Sequence, residues 1–252
     1  MQSLKNRLRH GGSVRAAWVS FPSVEVMDIA AKAELDFVVI DLEHSHIGWQ
    51  KCADMIKIGR MQNVPVVVRV GELNEYHIKR ALDDGANGLI VPNIESKNQL
   101  ERLRSYAFYP PEGRRGVGLG FANGYGKNFR EYYQDSKDTV ILGMIETKLG
   151  AENADEIMSA GILDGYIIGP YDLSASLGDA GNFDTEKFAE AVKRINKNAE
   201  MFNIPSGIHV VSSDTREIEK ASQDGFRIIC CSVDFMILRR YYQEVKEVGV
   251  VK

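Results

Sequence analysis

Cysteine is nearly absent: Cys52, Cys230 and Cys231 are the only three in 252 residues, and no two form a CxxC pair. Neither a disulfide framework nor a cysteine-based zinc site is therefore supported, and a reducing intracellular compartment fits. No run of about 18 apolar residues is available to span a bilayer. The first ten residues, Met1 to His10, are basic but lack the apolar core of a signal peptide, so a cytoplasmic location is expected. Positive charge is not in excess either. The 31 Lys and Arg face 35 Asp and Glu, a formal net charge of −4, which leaves no basic field for nucleic acid and no polybasic membrane patch. A glycine-rich phosphate loop is also missing. Gly116-Val117-Gly118-Leu119-Gly120 has the glycines, but no strand leads into it. It falls within the longest irregular stretch, about 108–137, which is expected to form a loop over the active-site end. With no repeat and no low-complexity tract, the sequence reads as a single domain over 1–252.

What is present is an alternation of two periodicities. Short apolar runs at 15–20, 36–41, 64–70, 87–91, 139–145, 163–169, 205–210 and 226–231 read as strands. Helical periodicity separates them, for example from Val24 to Lys32, Trp49 to Arg60, Tyr76 to Asp83 and Lys187 to Met201. Asn63, Asp84-Gly85, Gly161 and Asp224-Gly225 mark helix exits before the next strand. Four of the runs, Phe37 to Ile40, Val66 to Val68, Ile141 to Ile145 and Tyr166 to Pro170, are continuously apolar, as in parallel strands buried on both faces. Eight such units in about 250 residues predict an α/β fold of the closed (β/α)8 TIM-barrel type. An open doubly wound sheet competes, but its usual strand count is nearer six. The last helix, Phe235 to Val248, is amphipathic and long, and is expected to pack on its own barrel or on a neighbouring subunit.

Four of the apolar runs end in charge. Asp41-Leu42-Glu43-His44 follows Phe37 to Ile40, Arg69 follows Val66 to Val68, Glu146 follows Ile141 to Ile145, and Asp172 follows Tyr166 to Pro170. In a barrel these strand ends converge on one mouth. Glu146 and Asp172 would then stand side by side, two carboxylates suited to a hard divalent cation such as Mg²⁺ or Mn²⁺. Either could instead be a separate surface acid, and Asp172 could cap a helix. His44 is the candidate proton carrier, because imidazole is the side chain suited to acid and base work near neutral pH, and Asp41 and Glu43 are close enough in sequence to orient its ring. His209, at the end of the seventh strand, is its only rival for a site role. Arg69 could stabilise a developing enolate or bind a carboxylate, or could pair with Asp41 or Glu43 for structure alone. Lys148 is the nearest lysine to a Schiff-base position and is a poor candidate for one.

At these residues the sequence resembles the HpcH/HpaI aldolase family, the metal-dependent class II pyruvate aldolases. The matching stretches are Phe37 to His44, Val66 to Arg69, Tyr109-Pro110-Pro111-Glu112-Gly113-Arg114-Arg115-Gly116-Val117-Gly118, Ile145-Glu146-Thr147, and Ile168-Gly169-Pro170-Tyr171-Asp172-Leu173-Ser174. They occur in the family's order and spacing, and the resemblance runs from about Trp18 through the last helix. It implies a carbon–carbon lyase that cleaves or forms 4-hydroxy-2-keto acids through a pyruvate enolate and an aldehyde. Glu146 and Asp172 correspond to the ligands of a divalent metal, Mg²⁺ or Mn²⁺ with Co²⁺ as a further option. Arg69 corresponds to the arginine that stabilises the enolate, and His44, assisted by Asp41, to the histidine that moves the hydroxyl proton. Trp18, Met144, Gly169, Tyr171 and Asp172 correspond to the substrate pocket, with backbone amides around Tyr171-Asp172 holding the carboxylate. Asp83 aligns with an acid that reaches a neighbouring subunit's site. The same resemblance implies a homo-oligomer, a hexamer or trimer, with an exchanged C-terminal helix.

Two positions depart from the family pattern. Met144 stands where a glutamine usually touches the keto oxygen, and methionine cannot donate that hydrogen bond. Tyr171 is bulkier than the small residue usual before the metal aspartate. The departure at Met144 keeps two alternatives open. One is related enolate chemistry on oxaloacetate, a malyl-type substrate or phosphoenolpyruvate, and the other is a non-catalytic 2-keto-acid-binding relative.

Overall fold

Val, Ile and Leu fill the expected strand runs, and each forms a strand. These are β1 (Val14–Val19), β2 (Phe37–Asp41), β3 (Val66–Arg69), β4 (Gly88–Val91), β5 (Val140–Ile145), β6 (Gly165–Ile168), β7 (Gly207–Val210) and β8 (Ile228–Cys231). The computed structural model describes residues 3–248; the ends of the expected 1–252 domain, residues 1–2 and 249–252, lie outside the described residues. Every strand pairs in parallel with the next, and β8 pairs with β1, so the sheet closes as a (β/α)8 barrel. Closure buries both faces, which is why the runs show no polar alternation. The expected helix exits are confirmed by backbone geometry. Asn63, Gly85, Gly161 and Gly225 all take positive φ, at 57°, 102°, 66° and 89°.

The register sorts the inward side chains into layers of four drawn from alternate strands. Ala16, Val67, Leu142 and Gly207 form one layer, and Val39, Ile90, Ile167 and Cys230 form the next. Above them, nearest the C-terminal mouth, the odd strands supply Trp18, Arg69, Met144 and His209. The barrel is thus apolar below and becomes chemically equipped only at its top layer. At the other end, helix Leu4–His10 lies across the base. Its Leu4 and Leu8 join Val14, Phe37 and Val140 in the interior cluster. Buried Asp164 anchors this helix through Arg9 at 2.9 Å and Lys5 at 3.3 Å, while also accepting from the Ile141 N–H at 3.0 Å.

The stretch 108–137 departs from expectation in two respects. It contains a short 3-10 turn, Phe121–Asn123, and a helix, Phe129–Asp135. It also lies at the base of the barrel, not over the active-site end. Arg115 pairs with Asp83 at 2.6 Å, the Tyr132 hydroxyl donates to the Leu82 carbonyl at 2.8 Å, and Lys5 donates to the Lys137 and Thr139 carbonyls at 3.0 Å each. The reason is topological. The stretch follows helix Lys97–Ala107, which has already carried the chain back to the N-terminal side of the sheet. The final helix, Asp234–Glu247, buries only Asp234 among its residues and leaves Ile237, Leu238, Tyr241, Tyr242 and Val245 exposed.

Candidate active site

Asp41 and Arg69 end neighbouring strands and stand opposite one another in register. The Arg69 Nε donates to Asp41 Oδ1 at 2.8 Å and its Nη2 to Oδ2 at 2.6 Å, a bidentate pair. Nη1 pairs with Glu43 Oε2 at 2.8 Å and approaches the Met144 sulfur at 3.8 Å. The guanidinium carbon sits 4.9 Å from the centre of the Trp18 ring. Burial pushes the Asp41 carboxyl up, but the doubly bonded guanidinium outweighs it and holds the group below the usual carboxylate range. Arg69 is therefore a buried cation with its position fixed from three sides.

Asp41 Oδ1 also accepts from the backbone N–H groups of Glu43 at 2.9 Å and His44 at 3.3 Å. That turn at the end of β2 sets His44 on the rim of the mouth, with its ring exposed. The nearest acid to the ring is Glu43, 4.0 Å from Nε2. Asp41 thus fixes the His44 backbone and the Arg69 side chain, and does not touch the imidazole.

Glu146 leaves the end of β5 pointing into buried space. Its Oε1 accepts from the Asn93 N–H at 2.8 Å, whereas Oε2 is buried with no hydrogen-bond partner. Burial raises this carboxyl to about 7; the Asn93 N–H opposes the shift, and Glu43 and Asp172 add to it. Burial likewise raises Glu43 to about 7, against Arg69 and with help from Asp41 and Asp172. Gly169 makes the close approach possible, because a Cβ there would lie 2.5 Å from Glu146 Oε2. Asp172 sits in the first turn of helix Pro170–Ser176, where Gly169 is the cap residue, so it is not a capping acid. The first intrahelical bond is from the Leu173 N–H, which leaves the Tyr171 and Asp172 N–H groups without a carbonyl in the helix.

Three carboxylates within each other's field, one of them with an orphaned buried oxygen, form an environment that a divalent cation would relieve. Among the described residues no three His, Cys, Asp or Glu converge as a complete cage. Glu146 and Asp172 fit a hard cation that takes two protein carboxylates and completes its shell with substrate and water.

Trp18, Asp41, His44, Arg69, Met144, Gly169, Tyr171 and Asp172 line one cavity of about 170 Å³, and Glu146 adjoins it behind Gly169. Asp83 is elsewhere: it ends helix Glu75–Asp83 at the base and pairs with buried Arg115. Lys148 is on the surface, 3.7 Å from Glu152. The sequence offered Glu43 as a companion of His44 or a partner of Arg69, and the structure pairs it with Arg69 at 2.8 Å while keeping it 4.0 Å from the His44 ring. Sequence reasoning named His209 only as a rival to His44, yet His209 belongs to the cavity wall. Its ring stacks on Trp18 with centroids 4.0 Å apart and an 18° tilt, and Nε2 lies 3.1 Å from the Ser232 carbonyl. Burial lowers its pKa to about 4, partly opposed by that carbonyl, so the ring is neutral near pH 7. The inward alternation along β7 was the available signal.

Comparison with known proteins agrees with this fold. The family model for HpcH/HpaI aldolase/citrate lyase matches residues 16–240. A hydroxypyruvate/pyruvate aldolase of Roseobacter denitrificans is 31% identical over 94% of this chain and 93% of its own. A 2-keto-3-deoxy-L-rhamnonate aldolase of Klebsiella pneumoniae is 31% identical over 92% of this chain and 87% of its own. The crystal structure of an HpcH/HpaI aldolase/citrate lyase family protein from Burkholderia cenocepacia superimposes with a TM-score of 0.90. It is 29% identical, covering 97% of this chain and 98% of that one.

Proposed function

Because the chain belongs to the HpcH/HpaI aldolase/citrate lyase family, we propose that it is a divalent-metal-dependent lyase. It would cleave or form 4-hydroxy-2-keto acids through a pyruvate enolate and an aldehyde. The observation that carries this reading is the buried, partnerless Oε2 of Glu146 beside Asp172, in a cavity that also holds the fixed Arg69 cation.

Glu146 and Asp172 would hold Mg²⁺, Mn²⁺ or Co²⁺, which when bound supplies positive charge that polarises the 2-keto acid. Arg69 stabilises the charge that develops on the enolate oxygen, and its bonds to Asp41 and Glu43 mean that it need not reorganise to do so. The free N–H groups of Tyr171 and Asp172 suit the substrate carboxylate. In cleavage, His44 takes the proton of the 4-hydroxyl as the C3–C4 bond breaks; aldehyde leaves, and the enolate is protonated at C3 to give pyruvate. In condensation His44 returns the proton to the new alkoxide. Trp18 and Met144 are nearly fully buried and keep water from the floor of the site.

The direct test is pyruvate release from a 4-hydroxy-2-keto acid with and without a chelator. Turnover is expected to stop with chelator and return with Mg²⁺ or Mn²⁺, and His44→Ala is expected to lower kcat by about 100-fold or more. Chelator-insensitive turnover would remove the metal from this account. The Met144 sulfur beside Arg69, in place of an amide, favours one second reading. If oxaloacetate or phosphoenolpyruvate is consumed while hydroxy-keto acids are untouched, the enolate machinery serves that reaction instead.

A further inference from the structure

We propose that His209 selects substrates with a hydroxyl on the carbon next to the carbonyl, by offering that hydroxyl a neutral acceptor. The inference rests on the lyase reading above and assigns recognition of that hydroxyl to one residue.

The top layer of the barrel has four members, and three of them cannot play this part. Trp18 can only donate, Arg69 is a cation with donors alone, and Met144 offers a weak thioether acceptor. His209 is different. A carbonyl oxygen has only lone pairs, so the Nε2 that lies 3.1 Å from the Ser232 oxygen must carry the proton. Nδ1 is then a bare lone pair. It has no hydrogen-bond partner among the described residues, and unlike Glu146 Oε2 it is not sealed from the cavity. The stack on Trp18 and the bond to Ser232 hold the ring in one orientation. Burial keeps the ring neutral, in agreement with the tautomer that the geometry requires.

A substrate seated on this layer meets Arg69 on one side and His209 on the opposite strand of the layer. A hydroxyl there donates to Nδ1. A hydrogen or methyl there leaves a desolvated lone pair unpaired, and a site built to bond a hydroxyl rejects the analogue that lacks it. The hydroxyl could belong to the nucleophile, a 3-hydroxy-2-keto acid, or to the acceptor, a 2-hydroxyaldehyde.

The experiment compares the wild type with His209→Leu, which removes the acceptor, and His209→Asn, which keeps one near the position of Nδ1. Three ratios are read. One is kcat/KM for hydroxypyruvate over pyruvate with a fixed aldehyde. The second is kcat/KM for glycolaldehyde over propionaldehyde with a fixed keto acid. The third needs no turnover: the Kd of lactate over that of glycerate, by calorimetric titration of the Mg²⁺-supplemented protein. At least one ratio is expected to favour the hydroxyl by about ten-fold or more in the wild type, to collapse in His209→Leu and to recover partly in His209→Asn. A shift in the first arm assigns the hydroxyl to the nucleophile, and one in the second assigns it to the acceptor. If no ratio moves by more than two-fold, His209 does not select. If the wild type turns over neither pair, the lyase reading falls, and the glycerate and lactate titrations alone decide the role of His209.

Discussion

Arg69 is the residue on which the site turns, and its partners determine what its loss or theirs would do. Asp41 is its principal counter-charge, with both groups almost fully buried. Asp41→Asn leaves a buried guanidinium with Glu43 as its one remaining ion pair. It is expected to destabilise the fold by about 3–5 kcal/mol in chemical denaturation, besides lowering activity. Glu146 makes an opposite contribution. Its folded pKa of about 7 lies above its ordinary value of 4.5. Between those two pH values the unfolded chain holds fewer protons than the native one, so stability falls as pH rises through that window. Glu43 acts in the same direction. Melting curves of the metal-free protein are therefore expected to show this carboxylate contribution largest near pH 4.5 and lost above 7. Glu146→Gln should flatten that slope, and added Mg²⁺ should raise the melting temperature most where Glu146 is ionised. At this scale the sequence was legible where a buried run ends in charge, as at Asp41, Arg69 and Glu146. Past the strand end it left Glu43 between two partners, His44 and Arg69, because a turn sends successive side chains in directions that alternation no longer dictates.

The strands and their connections carry the site with little tolerance. Gly169 links β6 to the helix bearing Asp172, and a methyl group there would meet both Glu146 Oε2 at 2.5 Å and Glu146 Cβ at 3.1 Å. Its φ of −92° suits any residue, so Gly169→Ala is expected to fold. It should instead displace Glu146 and weaken Mg²⁺ or Mn²⁺ binding by about ten-fold or more, as read by calorimetric titration beside an unchanged circular dichroism spectrum. All eight strands could be read from the sequence because burial on both faces leaves largely apolar runs, broken before the last residue only at Arg15 in β1 and His209 in β7. The placement of 108–137 could not be read from its composition. Its position after a helix, before a strand, was the informative fact, since such connections return to the barrel's base.

For the whole molecule, the unfinished surface is the final helix. Ile237, Leu238, Tyr241, Tyr242 and Val245 form an exposed apolar group on an element that buries almost nothing against its own barrel. We propose that a second copy of the chain covers it, in keeping with the homo-oligomer expected from the sequence. Light scattering should report more than one chain per particle, and Leu238→Glu with Tyr241→Glu should reduce the mass without loss of helical signal. A monomeric wild type would rule this out. Whether Asp83 reaches a neighbour's site belongs to the same assembly, since within one chain it stays at the base with Arg115.

The apolar layers packed below the mouth, with helix Leu4–His10 across the base and its Leu4 and Leu8 in the interior, make the cavity a blind well. Reactants and products share a single doorway. Under the proposed lyase reading, a keto acid on the floor beside Arg69 would be held in until whatever sits above it has gone. Cleavage is then expected to surrender its aldehyde before its pyruvate, and synthesis to load them in the reverse sequence, a traffic rule imposed by the closed end and not by the chemistry at the open one; product-inhibition patterns would show it.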